Sequence, residues 1–156
     1  MVTTFSLKKD GAVQLTPNFK VREFAVKCNP KMYKCKNICS EALKDKVLID
    51  VDFVKGPLQK IREHFGKPIM ITSGYRTQEH NTQVKGASGS YHLKGMAFDI
   101  HIAGVSALTI AKYAESIGVK GIIIYPTGRT HIDNRTAKYF SRDGAKTSTT
   151  TFKTGA

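Results

Sequence analysis

His92 and Asp99 stand seven residues apart in Ser-Tyr-His-Leu-Lys-Gly-Met-Ala-Phe-Asp (90–99), and a further imidazole, His131, lies in Thr-His-Ile-Asp (130–133). Two imidazoles and one carboxylate form a mixed nitrogen and oxygen set that suits Zn²⁺. Three protein ligands leave the fourth position for water, as in a catalytic centre. Such a centre polarises a carbonyl and lowers the pKa of its bound water to about 7. A lone histidine in a strand is more often a hydrogen-bonded structural residue, so the reading rests on the three residues together. His101 shares a strand face with Asp99 and is a weaker ligand candidate. His64 reads as solvated, and Tyr91 and Tyr125 as packing residues, with Tyr125 near the edge of the site.

Those side chains need elements to carry them. Phe98-Asp99-Ile100-His101-Ile102 alternates apolar and polar, the pattern of a half-buried strand with Asp99 on its polar face. Gly95 lets the backbone turn, so that the His92 ring comes back over that face. Thr130 to Asp133 repeats the strand pattern. Val47, Val51, Val54, Leu58, Ile61 and Phe65 recur at three- and four-residue steps, which predicts a helix either kinked at Gly56-Pro57 or beginning at Pro57. Pro68 to Thr72 and Gly121 to Tyr125 read as buried strands. Ser106 caps a second helix over 107–117, whose face is Leu108, Ala111, Ala114 and Ile117. Gln78 to Gly89 reads as a polar loop with room for one helical turn. Residues 1–20 read as polar with a turn at Pro17-Asn18, Val21 to Val26 as a short strand or helical turn, and Tyr139-Phe140 as the close of a last hairpin. Two helices against a small, mostly antiparallel sheet make an α+β domain over residues 1–140, followed by a polar tail, 141–156, expected to fray.

The chain of 156 residues carries 25 Lys and Arg against 12 Asp and Glu, a net charge of +13. That excess favours an anionic partner: nucleic acid, a membrane surface or an anionic wall polymer. There is no Trp, and the basic residues are spread rather than gathered in one arm, which argues against nucleic acid. No apolar run is long enough to span a bilayer, and the first ten residues lack the apolar core of a signal peptide. The expectation is a protein made in the cytoplasm with no address of its own for leaving it, and monomeric. Cys28, Cys35 and Cys39 fall in a C-x6-C-x3-C spacing that fits no zinc knuckle, and reduced thiols in a Lys-rich surface loop are expected.

Read together, Ser73-Gly-Tyr-Arg-Thr, His80-Asn81, Gly86-Ala87, Ser90-x-His92-x-x-Gly95-x-Ala97-x-Asp99 and His131-x-Asp133 resemble the D-Ala-D-Ala carboxypeptidase family of zinc peptidases, which also includes L-alanyl-D-glutamate endopeptidases. The similarity extends through Asn18-Phe19-Lys20, Glu23-Phe24 and Leu58-Gln59-x-Ile61-Arg62, over roughly residues 17 to 136, and is nearest to small phage and bacterial single-domain members. The resemblance implies a small antiparallel sheet carrying zinc between helices, with His92, Asp99 and His131 as ligands. It implies that Arg76 binds the scissile carbonyl oxygen and developing oxyanion, and that Ser90 lines the substrate cleft; Tyr75 and His80 are further candidates for that cleft. Many members carry a carboxylate three residues before the last ligand histidine as general base; here that position is Gly128. Asp133, on the strand face of His131, is the nearest carboxylate and is assigned as base or as orienter of a ligand ring. The implied activity is hydrolysis of peptide bonds in peptidoglycan stem peptides or cross-links, as an endolysin or virion-borne lysin. The alternative is a zinc-holding wall-binding or phage structural module without catalysis.

Overall fold

The computed structural model describes residues 1–28 and 39–154. Its organising unit is a five-stranded sheet in the order β5-β6-β8-β7-β9, formed by β5 (Met70–Ser73), β6 (Ala97–His101), β7 (Gly121–Ile124), β8 (Thr130–Asp133) and β9 (Tyr139–Ser141). All neighbours are antiparallel except β7 and β9, which run parallel. The expected last hairpin is therefore replaced by a crossover from β8 past β7 to the sheet edge, which brings Phe140 beside Ile122. The α+β class with a mostly antiparallel sheet stands.

The alternation in β6 and β8 sorts their side chains. Phe98, Ile100 and Ile132 are fully buried in the core, and Asp99, His131 and Asp133 occupy the opposite face. Phe98 packs between Phe24 and Phe53, with ring centroids 4.9 and 5.5 Å away. The helix over 107–116 lies on the core side through Ile110, Ala111 and Ala114, capped by Ser106, whose hydroxyl accepts from the Thr109 N–H at 3.1 Å. Its buried stripe is rotated from the expected one, because Ile110 is inward and Leu108 only partly buried.

The amino-terminal third differs more from expectation. Val47 does not start a helix: Lys46–Asp50 is strand β4, antiparallel to β1 (Val2–Ser6), with Val47 and Ile49 buried on one face. Two valines at i and i+4 satisfy a helical pattern, but Val47 and Ile49 also satisfy period two, and pairing with Val2–Ser6 decides between them. Strands β2 (Gln14–Thr16) and β3 (Phe19–Lys20) flank the expected Pro17-Asn18 turn, and a 3₁₀ turn covers Val21–Phe24. The helix over 51–65 starts where the Asp50 carboxylate caps the Phe53 N–H. It passes Pro57 without ending, through a π-helical segment Val54–Leu58 in which the Gln59 N–H reaches the Val54 carbonyl. The wider π turn absorbs the donor that proline lacks.

Two surface expectations also change. Cys28 and Cys39 are buried together, and Cys39 contacts the Thr77 hydroxyl at 3.0 Å; Cys35 lies outside the described residues. A short helix, Glu41–Asp45, follows Cys39. The tail does not fray over its described part. Phe152 is fully buried against Phe140, and the Glu115 carboxylate accepts from the Phe152 N–H at 2.7 Å. No helix among the described residues is long and apolar enough to cross a membrane.

Candidate metal centre

Strand register places two of the three chemical groups. Asp99 and His131 are directly paired across β6 and β8, and Ser73 and Ile123 continue the same row on either side. Directly opposed side chains lie about 5 Å apart at Cβ. The Asp99 Oδ1 to His131 Nδ1 distance is 2.9 Å. His92 arrives from outside the sheet, on a 3₁₀ turn, Tyr91–Lys94, started by Ser90, whose hydroxyl accepts from the His92 N–H at 3.3 Å. Gly95 ends that turn at φ +72°, and a Cβ there would overlap the Leu48 carbonyl, so both backbone conformation and space require glycine. His92 Nε2 then lies 3.2 Å from both Asp99 Oδ1 and His131 Nδ1.

Hydrogen bonds on the far edges of the two rings decide which nitrogens face inward. His92 Nδ1 lies 2.8 Å from the Gly74 carbonyl oxygen, which only accepts, so Nδ1 carries the proton. His131 Nε2 lies 2.8 Å from Asp133 Oδ2 and donates to it. With both rings neutral, as metal ligation requires, His92 Nε2 and His131 Nδ1 are the bare nitrogens aimed at the Asp99 oxygen. Three electron-pair donors then converge without a proton among them, which is the donor set a cation would satisfy; without a cation, a proton held by His131 takes that place. The same three residues are the one group of potential ligands that comes together among the described residues, all of it buried. Nitrogen–nitrogen–oxygen donors of this type fit zinc.

The charges follow from the surroundings. Burial raises the cost of the Asp99 carboxylate, but both imidazoles outweigh it and hold its pKa well below the ordinary range. Burial dominates at His92 and lowers its pKa against the pull of Asp99. Burial also disfavours charge on His131, yet its bonds to Asp133 and Asp99 outweigh it and raise the pKa. Burial opposes the Asp133 carboxylate too, but Arg135 and His131 bring it down to about 2. Arg135 grips Asp133 through Nε at 2.7 Å and through Nη2, and Gly121, opposite Asp133, leaves the room this needs, since a Cβ there would overlap the carboxylate.

The centre opens into a cleft of about 850 Å³. Ser90, His80 and Arg76 line it, together with His92, Asp99 and His131. Tyr75 does not: it is 7 % exposed and packs in the core, because the chain leaving β5 turns its ring inward. His80 is buried beside Thr77, with Nδ1 lacking a hydrogen-bond partner among the described residues. His101 is exposed, and His64 stacks on Tyr113 at 3.8 Å, away from the cleft. Arg76 donates from Nε to Ser73 Oγ (3.0 Å), from Nη1 to Asn81 Oδ1 (3.2 Å) and from Nη2 to Asp99 Oδ2 (3.2 Å). Asp133 touches the ring edge of His131 that faces away from Asp99, and it is not part of the cleft wall.

Of the cleft residues that escaped the sequence reading, one stands next to Asp99. Arg129 lines the same wall, with its guanidinium 4.0 Å from the Tyr125 ring centroid. The signal was available: Arg129, His131, Asp133 and Arg135 are successive alternate residues, and the period-two argument that links His131 to Asp133 extends one step back. Gly128 drew attention instead.

The family model described as Peptidase M15 matches residues 17–133, most of the chain. The peptidoglycan L,D-endopeptidase MepK of Escherichia coli K12 is 36 % identical over 80 residues, covering 47 % of this chain and 44 % of the relative. The probable peptidoglycan L,D-endopeptidase MepK of Haemophilus influenzae is 39 % identical over 71 residues, or 42 % and 38 % of the two chains. The aligned part thus spans less than half the length of these curated relatives.

Proposed function

This chain belongs to the peptidase M15 family, and from that premise we propose that it is a zinc-dependent peptidase hydrolysing peptide bonds in peptidoglycan stem peptides or cross-links. The observation that carries the reading is the convergence of His92 Nε2, Asp99 Oδ1 and His131 Nδ1, each turned inward by a second bond, at the floor of an open cleft. The named activity of the MepK relatives supports the substrate class. A net charge of +13 suits an anionic wall.

In this reading His92, Asp99 and His131 hold the ion. Bound zinc supplies an acidified water and a polarised amide carbonyl. Arg76 is held by three acceptors, and its two remaining Nη hydrogens form a preorganised donor pair for the oxyanion, an effect worth about 3 kcal/mol per donor. Asp133 acts as a positioning residue: it keeps the His131 proton on Nε2 and so keeps Nδ1 free to ligate. Ser90 shapes the turn that presents His92, and His80 forms part of the substrate wall. Release as an endolysin or delivery on a virion is the setting we propose for this wall hydrolase.

Digestion of purified muropeptides, read by mass spectrometry with zinc measured on the same sample, tests the reading. New amide cleavage products are expected, disappearing with a chelator and returning with zinc. Full activity of metal-free protein rules the zinc mechanism out. One observation favours a second reading, a zinc-holding wall-binding module: Asp99 is the sole carboxylate in the cleft wall among the described residues, and Gly128 supplies none. Zinc-loaded protein that binds wall peptides but cleaves none would establish it.

A further inference from the structure

Two arginines flank the outer oxygen of Asp99, and they are in different states. Arg76 Nη2 lies 3.2 Å from Oδ2, and each of its three nitrogens has an acceptor within the protein. Arg129 Nε lies 3.4 Å from the same Oδ2, close enough for charge attraction, yet this buried N–H makes no hydrogen bond among the described residues. Nη1 donates to the Thr127 hydroxyl at 3.3 Å, an exposed contact. The side chain is a third exposed, and its guanidinium carbon lies 4.0 Å from the ring centroid of Tyr125, which also lines the cleft. A planar fork with unspent donors, braced on an aromatic ring at the mouth of a cleft, matches a carboxylate. Lys27 and Lys85 line the same wall, where Asp99, already paired with Arg76, is the sole carboxylate among the described residues; Arg135 also lines it but is paired with Asp133.

We propose that Arg129 and the Tyr125 ring beneath it form an anion subsite that binds a free carboxylate of the peptide substrate next to the scissile bond. The inference rests on the peptidase reading for its substrate class, stem peptides with unblocked carboxylates, but not for the existence of the subsite. Arg76 is anchored on Ser73, Asn81 and Asp99 with two Nη hydrogens left for the oxyanion, and Arg129 reads the substrate carboxylate. An acidic peptide placed this way is oriented before chemistry, so the contact belongs to binding and appears mainly in KM.

The test uses L-alanyl-γ-D-glutamyl-L-lysine with its carboxylates free and the same tripeptide fully amidated. Binding is measured by calorimetry to metal-free protein, where no ion can stand in for the arginine. The free-acid form is expected to bind about tenfold to hundredfold more tightly, as a charge-assisted pair implies. Arg129→Gln is expected to bring the ratio of the two affinities to near one, and Arg129→Lys to leave it intermediate, because the charge stays and the fork goes. Equal binding of the two forms, no binding of either, or a ratio that survives Arg129→Gln overturns the subsite. Zinc-loaded protein that cleaves nothing while the ratio persists overturns the peptidase reading and leaves the subsite standing.

Discussion

The two faces of the β6–β8 pair are equally dry and serve opposite ends. Phe98, Ile100 and Ile132 on one face and Asp99, His131 and Asp133 on the other are all no more than 6 % exposed. Burial therefore does not separate structure from chemistry here; direction does. The apolar face is held by contact area, which has no preferred atom. On the polar face each carboxylate oxygen and ring nitrogen has a named neighbour, and an error in one bond propagates to the next.

The sharpest way to break this comparison is His92→Ala. The donor set loses one of three ligands, and zinc content is expected to fall from about one per chain to near none, with hydrolysis falling to background while the circular dichroism spectrum stays folded. Zinc retained at wild-type stoichiometry would remove His92 from the centre. On the other face, Phe98→Ala is expected to cost about 3–5 kcal/mol in denaturant unfolding. Zinc stoichiometry of the folded fraction should be preserved, and a loss of metal equal to that of His92→Ala would mean that the faces are not independent.

Asp133→Asn probes the hinge between the two. Because Asp133 grips the outer edge of His131, zinc affinity is expected to weaken about 10–100-fold in a chelator competition. At saturating zinc, turnover should return to within about tenfold of wild type; turnover lost outright would make Asp133 the base instead. The smallest effect is expected far from both faces, at Asp143. Bonds from the Thr147 hydroxyl and N–H and from the Ser141 hydroxyl lower its pKa to about 2, against an ordinary value of 3.8. A depressed pKa stabilises the fold above the ordinary value, and that contribution disappears as pH falls from about 4 toward 2. The stability gap between wild type and Asp143→Ala should therefore be present at pH 6 and closed near pH 2, and a gap independent of pH would assign the effect to packing.

The strands of the site were legible because local pattern and tertiary role agree there. Phe98 to Ile102 alternates apolar and polar in sequence and sends those side chains to opposite faces, although the polar face is buried at Asp99 and not half-exposed as the pattern predicts, and Ser106 caps the helix it was expected to cap. Val47 was misread because its spacing satisfies two periods, and only pairing with Val2–Ser6 selects the strand. Phe152 was misread because one aromatic among Thr, Ser and Lys carries no periodic signal; its burial depends on Phe140 and Glu115, which are distant in sequence. Tyr75 sits beside Arg76 in the motif, yet neighbouring side chains leaving a strand point opposite ways.

Residue types and their spacing determined the donor chemistry: two imidazoles, a carboxylate, an arginine loop and a turn that only Gly95 can make. Tertiary structure alone decided which atoms of those residues meet. The Gly74 carbonyl and the Asp133 carboxylate, brought up by other segments, select the ring nitrogens that face inward, and the fold anchors Arg76 on three acceptors while leaving Arg129 Nε without one among the described residues. A sequence specifies which groups can bond, but a proton settles on one nitrogen or the other according to the acceptor placed beside it in space.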